Sequence, residues 1–280
     1  MVVGVIGTGL IGGSIAIDLK KNGFADKILG VEQNPLNAQV AKDLGIVDQV
    51  ATLDECISES DIIIVAIPVS GAVKLIPQIL DRVTEKQIVT DVCSTKGMIA
   101  SVVKYHPNRK QFVLGHPMSG TEYSGPRAAM SGLFDGRAGI ICDAEESDMR
   151  ALATIQKMYD ALNMRLIHLS SAQHDVHTAY VSHVSHVISY ALALTVLERE
   201  KNDRHIFDLA AGGFASTARL AKSSPEMWVP IFMQNRDNVL AVMDTYIDKI
   251  QAFRRAIDEM DEAAITELIQ GANRIKRIIR

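Results

Sequence analysis

The chain has 280 residues and a formal net charge of -4 at pH 7, which fits two domains with cores of their own and excludes a general affinity for nucleic acid or for an anionic membrane surface. Apolar residues make up 48% of it and aromatic residues only 5%, the composition of aliphatic helices on an aliphatic sheet, not of a disordered chain. Cys56, Cys93 and Cys142 are odd in number and far apart, so neither a disulfide frame nor a zinc site is expected. No uncharged run approaches the roughly 20 apolar residues of a membrane span, and no basic stretch of a signal peptide precedes the first apolar run, so a cytoplasmic protein is expected.

A strand at 2–6 comes first and is broken at once by glycines. Gly7-Thr8-Gly9-Leu10-Ile11-Gly12 leads into a helix at 10–22, and the next strand, 28–32, ends in Glu32, twenty residues after Gly12. A Gly-x-Gly-x-x-Gly turn alone is weak; between a strand and a helix, and followed by that acid, it marks a dinucleotide site. Gly7 permits the tight turn, Gly9 lets the backbone approach a pyrophosphate, and Gly12 lets the helix pack close to the sheet, with the phosphates on the N–H groups at the helix start. Glu32 suits ribose hydroxyls and repels a 2'-phosphate. Gln33 and Asn34 follow it, with no arginine beside it, which favours NAD over NADP.

Strands at 62–67, 87–91, 112–115, 138–142 and 165–168 then alternate with helices, among them 70–82 and 147–162. This predicts an α/β fold over 1–169, a Rossmann-type doubly wound and largely parallel sheet whose ligands lie beyond the carboxyl ends of the strands. After Ser171 the strands stop. Segments 172–200, 225–253 and 260–279 read as long helices with apolar residues at i, i+3, i+4 and i+7, so 170–280 is expected to be all-α. So few helices cannot hide so much apolar face within one chain, which points to a homodimer through this domain. The basic end, 274–280, reads as the last turns of an amphipathic helix.

Polar residues gather where the sheet places strand ends. Asp91-Val92-Cys93-Ser94-Thr95-Lys96-Gly97 follows one strand, and a loop running from Gly115-His116-Pro117 to Gly125-Pro126 follows the next, so both should face the nicotinamide end of the cofactor. A histidine there can hydrogen-bond a substrate hydroxyl and take its proton as hydride leaves the same carbon. An isolated histidine more often just ties a loop together. The position beyond a strand end, among glycines and other polar residues, favours catalysis.

The fingerprint, the D-x-x-S-x-K loop, the G-H-P-M-x-G-T-E-x-S-G loop, the V-S-H-x-x-H helix and the G-G-F...R-x-A-x-S-x-P-x-x-W segment together resemble the prephenate and arogenate dehydrogenases of tyrosine biosynthesis, in the family's order and over nearly the whole chain. The resemblance implies oxidative decarboxylation. Hydride passes from ring C4 to NAD, the C4 hydroxyl becomes a carbonyl, and the ring carboxylate leaves as carbon dioxide. Prephenate would give 4-hydroxyphenylpyruvate and is the substrate expected, with arogenate, which would give tyrosine, as the alternative.

By the same resemblance His116 binds and polarises the C4 hydroxyl, Ser94 hydrogen-bonds that hydroxyl and the nicotinamide region, and Arg219 binds a carboxylate, where a guanidinium can make two parallel hydrogen bonds. Taken alone, Arg219 reads equally as a solvated surface arginine. His186 and Ser182, four apart on one helix face, line the pocket. Thr121 and Glu122 stand at its mouth, where Glu122 faces a cation. Trp228 walls it, though a lone tryptophan is usually core, and Gly212 lies beside the substrate. The cofactor falls to Gly7, Thr8, Gly9, Leu10, Ile11, Gly12, Glu32, Pro68, Ser94 and Lys96; for Lys96 an ion pair with Asp91 is an equal reading. Where the family pattern has an acid and a threonine in F-x-D-x-T-R, this chain has Ser216 and Ala218. Neither a chorismate mutase stretch before the fingerprint nor an appended ACT domain is expected.

Three rivals are weaker. His174, His177, His183 and His186 crowd one helix, yet no acidic or cysteine ligand completes a metal set, and no metal is expected. A β-hydroxyacid or imine reductase would carry a catalytic lysine on the long inter-domain helix, where this chain has Thr178-Ala179-Tyr180-Val181-Ser182-His183. An NAD-sensing dimer without turnover has no need of His116 and Ser94 beside the nicotinamide.

Overall fold

The computed structural model describes residues 1–201 and 205–278. Its eight strands are β1 (Val2–Ile6), β2 (Lys27–Val31), β3 (Gln49–Val50), β4 (Ile62–Val65), β5 (Ile88–Asp91), β6 (Phe112–Pro117), β7 (Ala138–Cys142) and β8 (Arg165–Leu169). They form one sheet in the order β3-β2-β1-β4-β5-β6-β7-β8. Strands β3 to β6 are parallel, β7 runs antiparallel to β6, and β8 is parallel to β7. The chain builds outward from β1 in one direction and then from β4 in the other. That reversal opens a crevice at the carboxyl ends of β1 and β4.

The helices are α1 (Leu10–Lys21), α2 (Pro35–Asp43), α3 (Leu53–Glu59), α4 (Val69–Leu80), α5 (Gly97–Val103), α6 (Met149–Ala161), α7 (Ser171–Thr178), α8 (Val184–Glu200), α9 (Gly212–Ala218), α10 (Pro225–Gln234), α11 (Arg236–Asp258) and α12 (Glu262–Asn273). Strand β4 shows how the layers arise. Ile62 and Ile64 join a core with Ile15 and Leu19 of α1 and Ile155 and Met158 of α6, while Ile63 and Val65 join a second core with Ile76 and Ile79 of α4 and Ile99 of α5. An unbroken apolar run is what a strand covered on both faces requires, and each such side chain contributes about 1.5–3 kcal/mol by leaving water.

The seven strands expected from the sequence are all present, and β3, at two residues, is too short to show a period of its own. Two of the expected long helices are interrupted. The run at 172–200 is α7, one π-helical turn over Ala179–His183, and α8. The run at 225–253 breaks at Asn235, whose side-chain amide donates to the Asp175 carbonyl at 2.7 Å, a tertiary bond that helical periodicity cannot reveal. The expected helix at 260–279 is α12 and a 3-10 turn, Arg274–Arg277; residues 279 and 280 lie outside those described.

Compactness divides the chain into Met1–Asn235 and Arg236–Arg280, not at the sheet's end. Helix α10 stays with the sheet because Trp228 and Ile231 enter the same apolar core as Ile63 and Val65. In the second unit, α11 and α12 are joined by a turn in which Met260 has φ 51° and Asp261 caps α12 through the Ala264 N–H at 2.9 Å.

Candidate active site

Three of the candidate loops begin at the carboxyl ends of β1, β5 and β6, with β4 between the first and the other two. After β1, Gly7 takes φ 95°, and a Cβ there would lie 2.5 Å from the Ala66 carbonyl oxygen, so only glycine fits this turn. A Cβ on Gly12 would lie 2.0 Å from the Gly7 carbonyl oxygen. Gly9 differs, because the nearest atom to its missing Cβ is the Gly125 nitrogen at 3.9 Å. Packing does not require glycine at that point. The start of α1 has no side-chain cap, which leaves its first N–H groups for an anion. Glu32, just past β2, accepts from the Thr8 N–H and hydroxyl, both at 3.3 Å, and from the Asn34 N–H at 3.1 Å, so its carboxylate is held against the fingerprint. Leu10 is buried, Ile11 partly so, and Pro68 is exposed at the start of α4. These residues fit a dinucleotide.

Strands β5 and β6 carry the polar centre. Asp91, the last residue of β5, accepts from the Gly115 N–H at 3.2 Å, and the Lys96 ammonium bonds both the Asp91 carboxylate and the Gly115 carbonyl, the latter at 2.6 Å. Lys96 is fully buried. Of its two expected positions the ion pair with Asp91 is formed, and the same ammonium reaches the Gly115 carbonyl. Burial pulls the Lys96 pKa down, but the Asp91 carboxylate outweighs it and the net direction is up. The pair clamps Gly115 from both sides and so fixes the residue after it, His116.

His116 is buried, with 8% of its surface exposed, and its Nδ1 lies 2.7 Å from His174 Nε2. His174 Nδ1 in turn lies 2.8 Å from Asp175 Oδ1. The two Asp175 oxygens also accept the backbone N–H groups of Lys96 and Gly97, each at 2.8 Å, which ties the loop carrying Ser94 to α7. Ser94 is partly buried. Burial, and then the charges that His174, Lys96 and His183 would set beside it, hold His116 well below the usual imidazole pKa. Burial also lowers His174, against the pull of Asp175. For Asp175 burial acts upward, yet the hydrogen bonds from His174, Gly97 and Lys96 prevail and lower its pKa.

A chain of contacts joins this centre to the candidates on the helices. His183 meets Trp228 edge-on with centroids 5.9 Å apart, and Trp228 stacks on His186 at 3.4 Å and 25°. Trp228 is therefore a core residue that also stacks on a candidate site residue. His186 Nδ1 donates to the Ser182 carbonyl at 3.0 Å, so it is the Ser182 backbone, not its hydroxyl, that makes the contact. Arg219, half-exposed, donates to Glu122 at 3.4 Å, which gives Glu122 the cation expected for it. Thr121 accepts from the Tyr123 N–H at 3.3 Å, and Gly212 is exposed at the start of α9, the helix that leads to Arg219. The π turn carries Ser182 and His183, a local widening of the helix common at functional sites. Burial pushes His183 down to about 4.

Sequence reasoning missed Asp175 altogether and weighed His174 only as a metal ligand. The signal was the adjacent His-Asp pair in the first turns of a helix that begins just after the last strand. Fold and site together define a dinucleotide-binding oxidoreductase with a buried histidine at a strand end and an arginine, in the turn after α9, paired with a carboxylate of the loop after β6.

A family model described as the nucleotide-binding domain of prephenate dehydrogenase matches residues 15–168, and one described as the prephenate dehydrogenase dimerization domain matches residues 170–271. The prephenate dehydrogenase of Bacillus subtilis is 32% identical over 91% of this chain and 70% of its own length. The cyclohexadienyl dehydrogenase of Zymomonas mobilis is 26% identical over 99% of this chain and 96% of its own. Prephenate dehydrogenase from A. aeolicus, in a crystal structure with hydroxyphenyl propionate and NAD+, superposes with a TM-score of 0.90 at 28% identity, covering 100% of this chain and 98% of that one. The chain belongs to the prephenate and arogenate dehydrogenase family.

Proposed function

We propose that the protein oxidatively decarboxylates prephenate to 4-hydroxyphenylpyruvate, with His116 on the ring C4 hydroxyl and Arg219 on a carboxylate. The observation that carries this reading is the placement of His116. It stands at the end of β6, next to the Ser94 loop, neutral by burial, with Nδ1 engaged and Nε2 making no hydrogen bond to the described residues. A neutral imidazole with a free nitrogen can accept the hydroxyl proton.

The cofactor is NAD, which when bound supplies the acceptor for the hydride leaving C4. Gly7, Thr8, Gly9, Leu10, Ile11 and Gly12 hold its phosphates, Glu32 its ribose, and Pro68 and Ser94 border its far end. Arg219 orients the substrate, and Glu122 competes for the guanidinium until a substrate carboxylate replaces it. His186, Ser182, Thr121, Gly212 and Trp228 line the rest. Orientation is the main task of these side chains, because aromatisation of the ring supplies the driving force. We assign 1–169 to cofactor binding and 170–280 to substrate binding and dimerisation. Supporting a homodimer, the helical run 171–200 leaves Val181 and Leu194 70% and 67% exposed. Among the described residues that run alone is long and apolar enough to cross a membrane, yet its Asp175 is bonded into the β5 loop, so we read it as a domain helix of a cytoplasmic enzyme.

His116→Asn tests the assignment. Turnover should fall by about 10²-fold or more with substrate affinity kept; near-normal turnover would remove His116 from the mechanism. Arogenate is the second substrate to offer, since it differs only in carrying an amino group where prephenate has a keto group.

A further inference from the structure

Two hydrogen bonds beyond His116 decide which of its nitrogens is free. Asp175 is ionised and can only accept, and it already accepts from two backbone N–H groups, so the His174 nitrogen facing it, Nδ1, must carry a proton. Neutral His174 then has a bare Nε2, and this is the atom 2.7 Å from His116 Nδ1. His116 must therefore donate from Nδ1, which leaves its own Nε2 bare. The reverse tautomer would put the lone pair of His174 Nδ1 against a carboxylate oxygen.

We propose that Asp175 and His174 form a relay that fixes the tautomer of His116 and receives its proton during turnover. This deepens the functional reading above and rests on it. The substrate O–H bond breaks and a bond forms from its proton to His116 Nε2, while the electron pair stays on oxygen to become the carbonyl. The Nδ1–H bond of His116 breaks as its proton moves to His174 Nε2. His116 ends neutral with its proton on Nε2, and the positive charge ends on His174, against the Asp175 carboxylate 2.8 Å away. Without the relay the cation would stay on His116, which is buried near Lys96 and His183, with Asp91 already engaged by Lys96. His174 and Asp175 touch no substrate in this scheme and are positioning residues. Asp175 has a second duty, because the same carboxylate anchors the backbone of the Ser94 loop.

Two measurements test the relay. In the full-length protein labelled with ¹⁵N-histidine and free of ligands, nitrogen shifts should show His116 and His174 neutral above pH 7, both protonated on Nδ1 and bare on Nε2. A proton on His116 Nε2 would overturn the proposal whatever the enzyme's activity. In kinetics, His174→Gln should lower kcat by roughly 10²-fold with little change in KM, the scale of losing an acid–base partner, and should cost nothing further in the His116→Asn background. The same loss in both backgrounds, or none in either, would overturn it. Absence of turnover by the unaltered protein with prephenate and arogenate would instead overturn the functional reading, and the tautomer result would still be read independently.

Discussion

A buried imidazole that is to accept a proton must stay neutral and must keep one nitrogen open, and His116 meets both conditions through its neighbours. Lys96 holds the backbone beside it and disfavours a second cation, and His174 occupies Nδ1. The clamp makes Lys96 structural. Lys96→Met should lower stability by about 3–5 kcal/mol, because Asp91 would be left as an uncompensated buried charge; a denaturation midpoint near that of the unaltered protein would show that Asp91 finds another partner. Arg219 is in the opposite situation, half-exposed and loosely paired. Arg219→Gln should leave the midpoint unchanged and weaken substrate binding by about 1.5–3 kcal/mol, the range for a hydrogen bond to a charged group. Unchanged affinity would place the carboxylate elsewhere.

Among the elements, the strand–turn–helix at the start of the chain separates folding from ligand binding within a single motif. Gly12→Ala puts a Cβ 2.0 Å from the Gly7 carbonyl oxygen and should destabilise the protein, whereas Gly9→Ala meets nothing nearer than 3.9 Å and should fold normally while raising the KM for NAD. Thermal melts and NAD titrations of the two variants check this, and equal effects on stability would contradict it. The same element was the most legible in the sequence, because glycine, strand and acid each leave a local trace. Strand positions were legible too, since residues such as Ile62 to Val65 must be apolar on both faces. The break at Asn235 and the π turn at Ala179–His183 were not, and the two meet in a tertiary contact, with the Asn235 amide 3.1 Å from His183 Nδ1. The site divides similarly. His116, Arg219 and Glu122 sit in motifs, while Asp175 acts through atoms brought from 79 residues away in sequence, a distance that no spacing rule spans.

At the scale of the whole molecule, several imidazoles are kept neutral by burial, and this links folding to pH. His116, His174, His183 and His186 all have pKa values lowered from 6.5, His183 to about 4. Between 6.5 and these folded values the unfolded chain binds protons that the folded chain does not. Stability should therefore be fully present above about pH 7 and fall as the pH drops through 6.5 towards 4. A melting temperature constant from about pH 7 to about pH 5 would contradict the burial of these rings in solution. On the role proposed for His116, activity should have the same sign, since the accepting imidazole must be neutral and its lowered pKa places the acid limb below 6.5. The most direct test of the whole account is NADH formation by the purified protein with NAD and either prephenate or arogenate, measured in parallel with His116→Asn. The account predicts turnover of prephenate that the substitution reduces by about 10²-fold. No NADH from either substrate, in protein that binds NAD, would contradict it.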